Sequence, residues 1–452
     1  MDLAAGRPNV ARCAVLSSVT DRPGQRRSTM RRALAALLAV SACWISGACR
    51  RPTQISRVEL SPEERRVSDG VDLYGRYCAL CHGPEAKGYA ADHAPSLVSS
   101  TFLGSASNSY LTRSIRNGRP GTAMGAYGRT AGGPLEESDI DSIIAYLRWP
   151  GQSWAVPPTG DVTGDATRGA AIFEETCKQC HGTREVHGDA VQLGNKELLA
   201  VANDAYLRYA ITHGRPGTPM LSFSGVLSEQ QIDDVVTFIR SWAVPETPKS
   251  GPPPEVPVDL PVVINPKGKA PTFTLREDRF VPAEEVKKAL EAKERIVIID
   301  ARASSAWLQV HIPGSIPAPY YDMNRLDEVP KDGTWVIAYC ACPHHASGAV
   351  VDELRKRGYP RTAILDEGIL VWQQRGYPID GTQSKVPPPA ASGAVPVMPL
   401  PAGVLSLPPS VAAPGASGAS PSRGPLTPFP PMSPAGPGAN RVQVLRPTLP
   451  PR

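Results

Sequence analysis

Two short segments of the 452-residue chain share one spacing of reactive side chains. They read Cys78-Ala-Leu-Cys81-His82 and Cys177-Lys-Gln-Cys180-His181. Two thiols one helical turn apart can reach the two vinyl groups of one porphyrin, and the histidine that follows then lies beneath the iron. C-x-x-C-H therefore predicts covalent c-type haem attachment, with Cys78, Cys81, Cys177 and Cys180 as thioether donors and His82 and His181 as iron ligands. The other cysteines are Cys13, Cys43 and Cys49 near the N-terminus, and the close pair Cys340 and Cys342.

The flanks repeat as well. Gly70 and Tyr74 precede the first motif at the offsets of Gly169 and Phe173 before the second. Downstream, both copies contain Gly-Arg-Pro-Gly-Thr-x-Met, ending at Met124 and Met220. Each closes with an apolar i, i+3, i+4, i+7 stripe, which predicts an amphipathic helix: Ile140, Ile143, Ile144 and Leu147, then Ile232, Val235, Val236 and Ile239. The period is 99 residues at the cysteines and 96 at the methionines, too long for a solenoid unit. A thioredoxin-like dithiol belongs in a βαβ pattern, and these segments have helical periodicity only.

Residues 61–150 and 160–244 resemble class I cytochrome c domains. The resemblance implies two small all-α domains whose first and last helices cross near the haem, with Gly70 and Tyr74 against Tyr146, and Gly169 and Phe173 against Phe238. Met124 and Met220 match the family's ligand loop and are the only methionines between residues 52 and 244. They are the expected sixth ligands. The rivals His93, His187 and His213 lack the matching loop or lack a counterpart in the other copy. Thioether ligation raises a haem potential relative to bis-histidine, so two low-spin, electron-carrying haems are expected.

From residue 273 the pattern changes. Glu284–Glu291 reads as a charged amphipathic helix. Arg295–Asp300 and Trp335–Tyr339 are short apolar, β-branched runs, followed by a helical stretch at Ser347–Arg357 and another run at Thr362–Leu365. Strands alternating with helices predict an α/β domain with a parallel sheet. Asp300-Ala-Arg302, His311-Ile-Pro-Gly, a strand-end Cys340 and Glu367-Gly…Trp372…Gly376-Tyr-Pro378 occur in the order of a rhodanese domain, which this region resembles over 283–381. That resemblance implies sulfane-sulfur transfer through a persulfide on Cys340. A thiol at a helix N-terminus has a lowered pKa and is reactive as thiolate. Asp300 and Arg302 read as a structural ion pair.

The loop Cys340-Ala-Cys-Pro-His-His-Ala-Ser347 departs from the family pattern. It has a second thiol and lacks the usual glycine and arginine, and Pro343 removes a backbone donor. His344 or His345 would stand in for the missing cation. Three readings remain open. Cys340 carries sulfur, with Cys342 resolving the persulfide; or Cys340, Cys342 and a histidine hold a soft metal such as Cu(I) or Zn(II); or the two thiols form a structural or redox-sensing pair.

Composition frames these segments. Proline numbers 49. Residues 385–452 hold 19 prolines and no acidic residue, a composition that predicts a disordered tail. Residues 245–272 hold nine and read as a stiff linker. The net charge is +5, but the leader 1–51 contributes +7 and the tail +5, which leaves −7 for residues 52–384. That balance argues against nucleic acid as a partner. Arg31-Arg32, an apolar run Ala33–Val40 and Ser41-Ala42-Cys43 read as an export signal of lipoprotein type, with Cys43 or Cys49 as the lipidated residue and Met30 as an alternative start. The expectation is a multidomain, lipid-anchored periplasmic protein. Two all-α cytochrome c domains carry two c-type haems, and an α/β rhodanese-like domain spans 273–382. Its partners would be other cytochromes or a terminal oxidase or reductase, with a small sulfur compound as possible substrate.

Overall fold

The computed structural model describes residues 60–88, 94–149, 159–186, 188–245, 252–341 and 344–382. The leader with Cys43 and Cys49, the residues His93 and His187, the Cys342-Pro343 pair and the tail 385–452 lie outside the described residues.

The first repeat is helical throughout. Its helices are α1 (Pro62–Tyr77), α2 (Ala79–His82), α3 (Ser100–Ser105), α4 (Asn108–Asn117) and α5 (Glu137–Leu147). The second repeats them as α6 (Ala166–Thr176), α7 (Lys178–His181), α8 (Lys196–Leu199), α9 (Asp204–His213) and α10 (Glu229–Arg240). Helix α1 starts where its sequence says it should. Ser61 and Glu64 form a reciprocal capping box ahead of a proline in the first turn. Helix α10 starts the same way, with Ser228 and Gln231.

First and last helices cross at a glycine in both copies. A Cβ on Gly70 would lie 2.0 Å from the Ser142 carbonyl oxygen, and one on Gly169 would lie 2.0 Å from that of Asp234. One turn on, the aromatic pair closes the crossing. Tyr74 and Tyr146 have ring centroids 5.1 Å apart, and Phe173 and Phe238 5.5 Å apart. An arginine at the end of each last helix then secures the short third helix. Arg148 donates to the carbonyls of Leu103 (3.0 Å) and Ala106 (2.6 Å), and Arg240 to those of Leu199 (2.6 Å) and Ala202. These carbonyls are helix-end acceptors that would otherwise lack partners. The second copy adds an ion pair. Buried Asp234 takes Arg168 Nε at 2.7 Å and the Asp165 amide at 2.7 Å, and hydrogen bonding to Arg168 holds its pKa down to about 2.

The two repeats pack directly on each other. Equivalent tyrosines Tyr110 and Tyr206 stack at 4.8 Å with 27° between their planes. Thr101 Oγ1 donates to Gly214 O at 3.1 Å, while Asn195 Nδ2 donates to Pro120 O at 3.0 Å. Glu197 accepts from Asn117 Nδ2 at 2.9 Å.

The third region forms a five-stranded parallel sheet of order β1-β5-β4-β2-β3, with strands β1 (Phe280–Val281), β2 (Ile296–Asp300), β3 (Ile316–Pro317), β4 (Trp335–Tyr339) and β5 (Thr362–Leu365). Helices α11 (Ala283–Glu291), α12 (Ser304–Gln309) and α13 (His345–Lys356) lie between strands, and α14 (Gly368–Gln374) follows β5. Strands β2 and β5 are buried along their whole length and β4 for all but Trp335, as continuous apolar runs predict for a sheet covered on both faces. The segment read as a stiff linker also docks on the third domain. Ile264 forms an antiparallel bridge with Ile296, and Leu260, Val262 and Val263 pack on the domain core. Apolar residues placed between the prolines supply this docking. Helix α13 starts at His345, two residues before its predicted start.

Two tests follow from the helix crossings. Gly70→Ala and Gly169→Ala should each destabilise their own domain by about 1–3 kcal/mol, the usual cost of overpacking, measured by urea unfolding; equal stability in both variants would contradict the close approach. Because the Asp234 pKa lies below its unfolded value near 3.9, its contribution is complete above that value and is lost as pH falls through about 2. Asp234→Asn should lower the melting midpoint at neutral pH, with the difference closing toward pH ~2.

Candidate functional site

Each C-x-x-C-H motif begins at the residue between the first helix and its short successor and runs through that short helix. Cys78 caps α1 by donating its amide to Tyr74 O, and Cys177 caps α6 through Phe173 O, both at 2.9 Å. Cys78, Cys81, Cys177 and Cys180 are free thiols. The imidazoles are oriented from behind. His82 Nδ1 sits 3.0 Å from the Pro95 carbonyl and His181 Nδ1 2.8 Å from that of Val191. A carbonyl on Nδ1 fixes the tautomer with hydrogen on that nitrogen and turns Nε2 outward as a ligand. Burial lowers the pKa of both rings, which keeps them in the neutral, ligating form.

The methionine loops are also duplicates. Arg119 N donates to Met124 O at 2.7 Å, and Arg215 N to Met220 O at 2.8 Å. Thr122 and Thr218 bridge each loop by donating to the Arg119 and Arg215 carbonyls (both 2.7 Å) and accepting from the Met124 and Met220 amides (3.1 and 3.2 Å). Gly118 and Gly214 turn the chain with φ of 62° and 63°, and a Cβ on either would meet the methionine carbonyl at 2.6 Å. The loops hold their shape through their own backbone and a threonine hydroxyl. Of the rival ligands, His213 is exposed at the end of α9 and packs on Tyr209. The residues present thus fit two c-type haems: free thiol pairs, neutral imidazoles aimed by carbonyls, and matched methionine loops.

In the third domain Cys340 follows β4, only 1% exposed, with Ser347 Oγ 3.2 Å from its sulfur. The sequence pattern alone does not single out Ser347; its place at the end of the cysteine loop is the signal that points to it. Asp300 and Arg302 form the expected buried pair at 2.6 Å, and Arg302 also donates to Val310 O at 2.7 Å. Burial opposes the guanidinium charge, but the Asp300 carboxylate outweighs it and holds the pKa above the usual arginine value.

His344 behaves differently from the expected cation. It adopts φ 73°, lies over Phe280, and places Nε2 3.6 Å from Asp366. Burial and the nearby Arg276, His345 and Arg279 outweigh Asp366, so the pKa falls and the ring is neutral at pH 7. The cations beside this loop are arginines from the segment before β1. Arg276 binds Asp366 through two contacts (3.0 and 2.8 Å), and Arg279 reaches Gly348 O at 3.4 Å. They lie more than 60 residues from the loop in sequence, which is why the motif did not reveal them. His345 opens α13. Among the described residues, no cluster of three or more His, Cys, Asp or Glu side chains is arranged to hold a metal ion.

The first haem motif and the third domain touch. Leu80 packs on the sheet-domain core, and α2 lies against α13. Tyr320 OH donates to Tyr77 O at 2.5 Å and pairs with Tyr127 OH at 2.9 Å. Ser305 Oγ donates to Ala126 O at 2.5 Å, and the Tyr77 and Tyr321 rings meet edge to face at 4.9 Å.

Comparisons with known proteins agree with this division. Residues 65–147 and 164–239 match the family described as cytochrome c oxidase, cbb3-type, subunit III, and residues 282–375 match the rhodanese-like domain family. A cbb3-type cytochrome c oxidase subunit FixP from Bradyrhizobium sp. (strain ORS 278) is 31% identical over 38% of this chain and 59% of its own length. A cytochrome bc1 complex cytochrome c subunit from Corynebacterium diphtheriae is 26% identical over 42% of this chain and 70% of its own. The chain thus spans about three fifths of the length of the first of these relatives. A solved rhodanese-like domain from Anabaena sp. is 26% identical, with 28% of this chain and 95% of that one covered and a TM-score of 0.23.

Removing one partner of a buried ion pair strands the other. Asp300→Asn should therefore destabilise the third domain by about 3–5 kcal/mol, measured by chemical denaturation; a loss under about 1 kcal/mol, the range of an exposed pair, would show that Arg302 finds another partner. The chain carries two class I cytochrome c domains with two c-type haems, followed by a rhodanese-like domain.

Proposed function

We propose that the chain is a periplasmic, lipid-anchored electron carrier working between redox proteins, other cytochromes or a terminal oxidase or reductase, and that its third domain carries sulfane sulfur on Cys340. The observation that carries the first part is the duplicated site: the same free thiol pair, carbonyl-aimed histidine and self-bonded methionine loop in both copies. Two relatives named as subunits of a terminal oxidase and of a bc1 complex support partners of that kind. The membrane link rests on the leader sequence; among the described residues no helix is long and apolar enough to cross a membrane.

A c-type haem supplies reversible one-electron exchange at its iron. The chain does the rest. Cys78 and Cys81, and Cys177 and Cys180, would fasten the group, and His82, His181, Met124 and Met220 would supply the nitrogen and sulfur donors that hold its iron. Loops that keep their shape through their own hydrogen bonds limit rearrangement on electron exchange, and a sulfur ligand favours the reduced state relative to a second imidazole. In the third domain, burial and the Ser347 hydroxyl hold Cys340 at the helix entrance.

A second reading has its own support. The contact between α2 and α13 brings the sulfur domain against the first haem motif, which suits Cys340 persulfide chemistry coupled to haem reduction. A metal-binding or redox-sensing use of the Cys340 loop would show instead as copper uptake without either response.

Met124→Ala and Met220→Ala should each remove about half of any sulfur-to-iron band of the oxidised holoprotein; an unchanged band in either variant refutes that ligand. Glutathione persulfide with cyanide should yield thiocyanate in the wild type and none in Cys340→Ser. Haem reduction by persulfide that also disappears in Cys340→Ser would select the coupled reading.

A further inference from the structure

The two haem sites follow one plan but meet different surroundings. In the first, both walls lie against the third domain: Leu80 on the motif side, and Gly125, directly after Met124, on the loop side. A Cβ on Gly125 would stand 3.2 Å from Ala303 Cβ. The repeat supplies a counterpart for every residue of this contact, and each differs. Leu80 corresponds to Gln179, Tyr77 to Thr176, Tyr127 to Phe223 and Gly125 to Leu221. Gln179, Thr176 and Leu221 are exposed. Leu221 is 73% exposed, and Val226 in the same loop 70%. A leucine at the position of Gly125 would run into Ala303. The third domain therefore fits the first copy and is refused by the second.

We infer that the third domain is a fixed cover on the first haem site, and that the exposed face carrying Met220, Leu221 and Val226 is the port on which an external one-electron metalloprotein docks. This rests on the electron-carrier reading above. Three observations select that occupant. The face corresponds by repeat to an interface already formed within this chain. Leu221 excludes the chain's own cover from it. Among the described residues, it borders the loop of the haem site away from the third domain's contact. Leu221 and Val226 give it an exposed apolar centre, as protein docking patches have. The transfer there is one electron between two metal centres; no bond forms or breaks and no proton moves.

The test uses the full-length holoprotein and a reduced blue-copper protein as probe, with ascorbate as a small reductant. Leu221→Glu, and separately Val226→Glu, should lower the second-order rate with the copper protein about tenfold relative to the rate with ascorbate, a loss of the size expected when a charge is buried in an apolar contact. An unaltered ratio in both variants overturns the port. Hydrogen exchange tests the cover. Amides 303–309 should be protected in the wild type and lose protection in Gly125→Leu, with Gly125→Ala as the milder variant should leucine prevent folding; retained protection in the folded leucine variant overturns the cover. A dimer that dissociates on Leu221→Glu would assign the face to a second copy and overturn the port. No exchange between wild type and copper probe, with the protection pattern as expected, would sink the electron-carrier reading and leave the cover standing.

Discussion

The cytochrome half depends on two helices being allowed to touch. At Gly70 and Gly169 the partner backbone approaches so closely that even a methyl group would overlap a carbonyl oxygen. That approach holds α1 and α6 against the closing helices, and Cys78 and Cys177 stand at the C-terminal ends of these same two helices. The aromatic pairs one turn on fill the space the crossing leaves. Glycine costs helix stability in isolation; here packing at the crossing offsets the cost, because no other residue allows it.

A common scaffold has been adapted to unequal duties. The carbonyl behind each histidine, the threonine-bridged loop and the arginine clasp on the third helix are duplicated with little change. What differs is the outer surface. The first copy gives tyrosines, a leucine and a glycine to the third domain, while in the second Thr176, Gln179 and Leu221 are exposed and Phe223 packs on the cytochrome core. Asp234 and Arg168 have no ion-pair counterpart in the first copy, where Ser142 and Asp69 stand instead. The second domain thus ties its terminal helices with a pair of its own.

Much of this was legible in the residues. Motif spacing, the Gly-Arg-Pro-Gly-Thr-x-Met repeat and the apolar stripes marked both helical domains and their closing helices, because they arise from local periodicity and covalent geometry. The strands β2, β4 and β5 were legible for the same reason. Long-range contacts were not. Arg148 and Arg240 look like ordinary surface charges until the chain folds them onto carbonyls about 40 residues away. Arg276 and Arg279 come to the cysteine loop from before β1, where they add to the effect of burial in lowering the pKa of His344. The proline-rich stretch before the third domain suggested a spacer, yet single apolar residues among the prolines were enough to pin it to the sheet.

The stack of Tyr110 on Tyr206 has a consequence for how the duplication works as a machine. Equivalent side chains meeting each other form a self-matching seam, so pulling the copies apart would strip both rings at once. The spacing between the two pigments is thereby locked in as a property of the fold, independent of the length of the segment joining them. The two copies thus meet through a seam of their own side chains rather than as beads on a string.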